Sequence, residues 1–338
     1  MKKASILFVW WFIGMMTVQA QLVRTADMVV HDPVLMEEKG VYYLFSTGNG
    51  ISVWSSTDME HWKPEAPVFD QAPQWAVDTI PNFKGHIWAP DIYYHEGTYY
   101  LYYSVSAFGK NTSAIGVVTN RTLDPSSSEF HWVDYGRVIQ SYPDVTNWNA
   151  IDANIIDDDQ GKAYMSFGSF WDGLKLIRLQ DDRLSVAEDI ATMPTIASRK
   201  KNPDDPNPPA VDDNPVDAGG NAIEAPFIFK KGDYYYLFAS IDYCCKGVRS
   251  TYKMIVGRAK TVEGPYLDET GKDMAQGGGK ILLAGDQRWH GVGHNAVVTI
   301  AAEDYLIFHG YDAEDGGKPK LRIERLDWGP EDWPEVKR

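Results

Sequence analysis

WAPDIYYHEGTYYLYYS, residues 88–104, decides the fold. It opens on a short polar and apolar stretch, crosses a tight turn at Gly97, and enters a strand of Tyr and Leu. Those residue types suit a pleated surface packed on both faces. Four other segments follow the same plan: HDPVLMEEKGVYYLFST from His31, DANIIDDDQGKAYMSFGS from Asp152, EAPFIFKKGDYYYLFAS from Glu224 and HNAVVTIAAEDYLIFHG from His294. Gly40, Gly97, Gly161, Gly232 and then Asp304 precede the aromatic strands, separated by 57, 64, 71 and 72 residues. A repeat of that length holds several short strands, as one four-stranded propeller blade does. Five units predict an all-β fold, a five-bladed β-propeller. A β-sandwich with fortuitous likeness would not explain five equal turns, and no long run shows helical period.

Working outward, the repeats run nearly end to end without a linker, so residues 21–338 read as a single domain. Residues 1–20 read as an export leader. Lys2 and Lys3 precede the apolar run ILFVWWFIGMM, and Val18-Gln19-Ala20 is a small-residue cleavage site. An uncleaved anchor would need about 18 apolar residues, and this run is shorter. A protein exported to the periplasm or the cell exterior is therefore expected.

The formal charge of −15, or −17 once Lys2 and Lys3 leave, argues against nucleic acid or an anionic membrane as partner. A neutral ligand is compatible with it. The 12 Trp and 19 Tyr point to sugar, because aromatic rings stack on the apolar faces of pyranose and furanose units. The two cysteines are adjacent, Cys244-Cys245, so they cannot staple distant strands. They form either a vicinal disulfide or a thiol pair, and a metal there would need ligands that are not nearby in sequence. A structural role is expected. Residues 200–221, KKNPDDPNPPAVDDNPVDAGGN, form an irregular loop leading into Glu224, either walling one side of the site or simply solvated.

Three repeats open on or beside a carboxylate: Asp32, Asp152 and Glu224. The first strand of each propeller blade lines the central channel, so residues at its start converge at one mouth. Three carboxylates meeting there repel, and their proton affinities separate: one is held protonated while another stays ionised. Glycoside hydrolysis needs such a pair, roughly 6.5–9.5 Å apart when the anomeric centre is inverted and about 5–5.5 Å when it is retained.

HDP, WAPD, AIDAN, IEAP and GHN, in this order, resemble the motifs of glycoside hydrolase family 43. YYLFSTGNGISVWSSTD, YYLYYSVSAFGKNTSAIGV, FGSFWDG, CCKGVRSTYK and GRAKTVEGPY resemble its α-1,5-L-arabinanase branch, and the likeness spans nearly the whole mature chain. It implies a five-bladed propeller that inverts the anomeric centre and cuts arabinan or arabino-oligosaccharides, with endo action expected and a monomer expected. It implies Asp32 as general base, Glu224 as general acid and Asp152 as the group that tunes and orients the acid. Trp88 and Phe108 match aromatic residues beside the cut sugar. His294 matches a histidine near which a calcium ion is held largely through water, an ion that nothing in composition or spacing shows. The loop before Glu224 looks extended, and WHGV precedes GHN where a Gly-Pro version is common, so the cleavage mode stays open between internal and terminal attack. An arabinofuranosidase or β-xylosidase of the same family, or a non-catalytic sugar-binding propeller, are the other readings.

Overall fold

The computed structural model describes residues 22–143, 145–199 and 220–337. The leader at 1–20 and nearly all of the Pro/Asp loop at 200–221 lie outside them. The described residues form five antiparallel sheets. The innermost strands are Val34–Glu38, His86–His95, Asn154–Asp157, Ile223–Lys231 and Trp289–Ile300. Each is followed by its aromatic partner: Val41–Ser46, Thr98–Val105, Ala163–Phe167, Tyr234–Ile241 and Glu303–Asp312. The predicted propeller is thus observed, one blade per repeat.

The turn chemistry explains the inner hairpins. Lys39-Gly40 and Glu96-Gly97 take positive φ at both residues, 53° with 81° and 44° with 78°, the backbone of a type I′ turn that matches strand twist. In the fifth blade the expectation that Asp304 marks the turn is corrected. Ala301 and Ala302 carry the left-handed turn, at φ 50° and 65°. Asp304 is buried one step into the strand, accepting from Thr299 Oγ1 at 2.6 Å and from Trp328 Nε1 at 2.7 Å.

Packing runs between blades. Tyr103 and Leu101 join the apolar cluster shared by the first two blades, Tyr102 and Ile115 pack with Phe167 and Met165, and Tyr236 and Phe238 pack with Leu306 and Phe308. Each such side chain contributes about 1.5–3 kcal/mol by leaving water. The ring closes where the chain before the first blade meets the fifth: the Val30 amide donates to the Pro319 carbonyl at 3.2 Å, and the Leu321 amide to the Met28 carbonyl at 3.1 Å.

Candidate active site

Every blade opens on one non-glycine residue in the left-handed region: Asp32 (φ 53°), Ala89 (44°), Asp152 (60°), Ala225 (54°) and His294 (53°). In the second, fourth and fifth blades the ladder register shifts at that residue. A bulge of this kind sets two residues against one and re-aims the side chains beside it. Four of the five amides are satisfied by a side chain in, or just after, the aromatic strand of the preceding blade. Asp32 N–H donates to His309 Nδ1 at 3.2 Å, Ala89 N–H to Thr47 Oγ1 at 2.9 Å, Asp152 N–H to Ser104 Oγ at 3.0 Å and His294 N–H to Ser240 Oγ at 2.8 Å. Seven residues beyond its turn glycine, the third blade has Gly168 where the first two have Thr47 and Ser104. With no hydroxyl there, the Ala225 amide donates to Asp152 Oδ2 at 3.2 Å.

The three acids at the repeat openings do not share one position. Asp32 and Asp152 are the left-handed residues themselves, whereas Glu224 stands one place earlier, in register with His31 and Trp88. Even with this offset, Glu224 and Asp32 are both close enough to act electrostatically on Asp152. Burial first, then Glu224 and Asp32 as anionic neighbours, push Asp152 up to about 8 against the pull of His294. The Ala225 amide ties Asp152 to the residue after Glu224. Ser169 Oγ donates to Glu224 Oε2 at 2.7 Å.

Asp32 is 8% exposed and densely partnered. His31 Nδ1 lies 2.8 Å and His294 Nδ1 3.0 Å from its Oδ1, and Thr47 Oγ1 donates to Oδ2 at 2.6 Å. Burial opposes its charge, but His294 and His31 outweigh burial and hold the carboxyl well below the usual range. His294 shows the reciprocal effect: burial disfavours the imidazolium, yet Asp32, and after it Asp152 and Glu224, raise it to about 9. His309 is pushed well below the ordinary histidine value by full burial and then by His31 and His294, against the pull of Asp32 alone. Asp32 and Asp152 are thus shifted in opposite directions.

The other sequence-derived positions divide. Trp88 is half-buried, and its Nε1 donates to His86 Nδ1 at 3.0 Å. Phe108 is 73% exposed. His31, Thr47, Ser169 and Tyr311 were not singled out by the sequence reading. Tyr311 hydroxyl lies 2.7 Å from His31 Nε2, so with its other proton on Nδ1 the His31 ring links Tyr311 to Asp32. The signal for His31 was its place beside Asp32; nothing local marks the other three.

The fit of a cation at His294 follows from its partners. Nδ1 is engaged by Asp32, and no hydrogen bond to Nε2 occurs among the described residues. Among them, His294 belongs to no cluster of three ligating side chains. Since calcium takes about six to eight ligands, His294 could supply one at most, and only by giving up the proton its raised affinity keeps on Nε2; water would supply the rest, and the described residues do not fit a dry protein cage.

A five-bladed propeller mouth fed with carboxylates from three blades is the architecture of an acid–base glycoside hydrolase. The chain belongs to the glycosyl hydrolases family 43, whose model matches residues 26–334. It is similar to the extracellular exo-α-(1→5)-L-arabinofuranosidase of Cellvibrio japonicus, 50% identical over 327 residues that cover 96% of this chain and 92% of that protein. It is also similar to the extracellular endo-α-(1→5)-L-arabinanase 1 of Bacillus subtilis, 38% identical over 313 residues, 91% of this chain and 88% of that one. The solved α-L-arabinanase of Cellvibrio cellulosa, complexed with arabinohexaose, superposes with a TM-score of 0.86 at 50% identity, covering 92% of this chain and 96% of that one.

Proposed function

We propose that the protein is an exported, inverting hydrolase of α-1,5-L-arabinan. The observation that carries the reading is the convergence of three acids at one mouth: Asp32 and Glu224 both act electrostatically on Asp152 and on His294, and Asp32 is held well below the usual carboxylate range. Asp32 stays ionised at neutral pH and takes the proton of an attacking water. Its two imidazole partners and Thr47 make it a weak base of fixed orientation. Glu224, held by Ser169, gives its proton to the leaving oxygen. Asp152, its proton affinity raised chiefly by burial, orients Glu224 through the amide of Ala225. Trp88 and Phe108 stack on the sugar beside the cut.

His294 is the residue that would hold a calcium ion, through Nε2 once that nitrogen has given up its proton, with water completing the shell. When bound, the ion supplies fixed positive charge beside the carboxylates. The leader at 1–20 and the relatives named extracellular support export.

On cleavage mode, the higher identity to a relative named exo-acting moves the reading from internal to terminal attack; the endo-named relative supports the other outcome. A time course of product lengths from linear arabinan separates them. One short product from the outset means terminal attack, and an early ladder of long oligosaccharides means internal attack. Branched arabinan and xylan in the same panel test the arabinofuranosidase and β-xylosidase readings. Glu224→Gln is expected to lower turnover by about 10²–10⁴-fold with the fold intact. Digestion of linear arabinan at the parental rate by that variant rules out Glu224 as the acid.

A further inference from the structure

Cys244 and Cys245 follow the second strand of the fourth blade and are bonded to each other. The fold carries them to the side of the mouth where Asp32 lies. Cys245 Sγ stands 3.9 Å from His31 Nε2, across 214 residues of sequence, and the Cys245 amide donates to the Tyr311 hydroxyl at 2.8 Å. One atom of His31 and both sulfurs lie within 4.8 Å of one another. Cys244 is half-buried and Cys245 is exposed, so solvent reaches the pair. His31 is itself fixed, stacked on His309 at 3.9 Å and joined through Nδ1 to Asp32. The ligands that the sequence lacked near the cysteines are thus supplied by the first blade.

We propose that Cys244, Cys245 and His31 form a latent site for a thiophilic divalent cation of the zinc and cadmium class, closed while the disulfide is intact and opened by its reduction. The thiolate is the metal ligand, and a disulfide sulfur does not replace it. A phosphine opens the pair. Phosphorus attacks one sulfur, the S–S bond takes two electrons and breaks, and one water supplies the oxygen of the phosphine oxide and the protons of the two thiols. The cation then displaces both thiol protons and takes the Nε2 lone pair of His31 from Tyr311. Two sulfurs and one imidazole leave the fourth tetrahedral position to water. The Nδ1–H of His31 keeps donating to Asp32, the carboxylate–histidine–metal arrangement that fixes the ring and its tautomer. This site differs from the one proposed at His294, which suits a hard cation in a shell of water oxygen.

The experiment reduces the full chain with a phosphine under inert gas, removes the excess and titrates with Cd²⁺ alone, following the ultraviolet cadmium–thiolate absorption. Saturation at one cadmium per reduced chain, and none for the oxidised chain, is expected; no absorption after reduction, or the same absorption without it, overturns the proposal. That comparison uses the parent chain and needs no substitution. His31→Gln is expected to weaken cadmium binding by at least about 10-fold, and an unchanged affinity in a variant with parental near-ultraviolet dichroism removes His31 from the site. Cadmium is expected to suppress arabinan turnover of the reduced chain, with recovery on adding a chelator. The doubly substituted Cys244→Ser/Cys245→Ser chain is expected to keep its turnover in cadmium. Equal inhibition of that variant overturns the link between this site and the mouth.

Discussion

Asp91 offers a test of how the propeller tolerates a carboxyl inside its wall. It is 4% exposed, accepts the Ile155 amide at 2.9 Å and faces Asn154 Nδ2 at 3.4 Å from each oxygen. No lysine or arginine pairs with it among the described residues. Burial therefore dominates the Ile155 and Asn154 hydrogen bonds and the attraction of His294, and pushes its carboxyl from 3.8 up to about 7. A folded-state value above the unfolded one means that the native state binds the extra proton. Its stabilisation is complete below about pH 4 and is lost as pH rises through 7. The gap between 3.8 and about 7, at about 1.4 kcal/mol per pH unit, comes to roughly 4 kcal/mol. Asp91→Asn removes the titration. Exchanging a hydroxyl for an amide opposite Asn154 adds an offset that does not vary with pH. Denaturant unfolding of parent and variant from pH 4 to pH 8 is expected to show the parent losing roughly 4 kcal/mol relative to Asp91→Asn over that range. Parallel profiles, or a variant that loses ground as pH rises, would refute the reasoning.

Other expectations follow from single contacts. Ser169→Ala frees Glu224 Oε2, and misplacement of a reacting group lowers kcat by about 10- to 100-fold; steady-state kinetics on linear arabinan that leave kcat unchanged would remove Ser169 from the site. Trp88→Ala removes a stacking partner worth about 0.5–1.5 kcal/mol, expected as a rise in KM of about 2- to 12-fold; an effect confined to thermal stability would make Trp88 a packing residue. Ala302→Gly relieves a left-handed alanine at φ 65°, and the gain of roughly 0.5–1 kcal/mol after the entropy of glycine should raise the calorimetric Tm without altering turnover.

The hairpins were legible because their signals are local. A turn glycine followed within three residues by Tyr is readable wherever it occurs, and four of five repeats carry it. The fifth was misplaced by two residues because alanine in the left-handed region has no compositional mark. At the site, Asp32, Asp152 and Glu224 were legible as carboxylates at strand openings, but their true offset was not, since it depends on φ and ladder register. Thr47, Ser104 and Ser240 look like ordinary ends of aromatic strands, and their use as acceptors appears only when the next blade is laid against them. His31 and Cys245 are 214 residues apart. Only closure of the ring sets them side by side.

The five left-handed openings separate what the fold requires from what the chemistry requires. Ala89 and Ala225 adopt the same conformation as Asp32, Asp152 and His294, although their methyl groups are buried and carry no chemistry. The strain, about 1–2 kcal/mol for each residue with a Cβ, is therefore a property of the propeller. It is offset at each blade by an amide hydrogen bond to a side chain of the blade before it. Because every blade makes that same opening, the left-handed residue and the one before it recur in each blade, and the sequence varies them independently: His31-Asp32, Trp88-Ala89, Ile151-Asp152, Glu224-Ala225 and Gly293-His294. A ring built from one backbone plan thus becomes asymmetric only through side chains. The break in the amide pattern falls at Gly168, where the missing hydroxyl sends the Ala225 amide to Asp152 instead. There the bond that sustains the fold and the bond that ties Asp152 to the neighbourhood of Glu224 are the same bond, so loss of the Asp152 carboxylate would cost packing and orientation together, whereas Glu224, which supports no amide at a blade opening, can be changed for its chemistry alone.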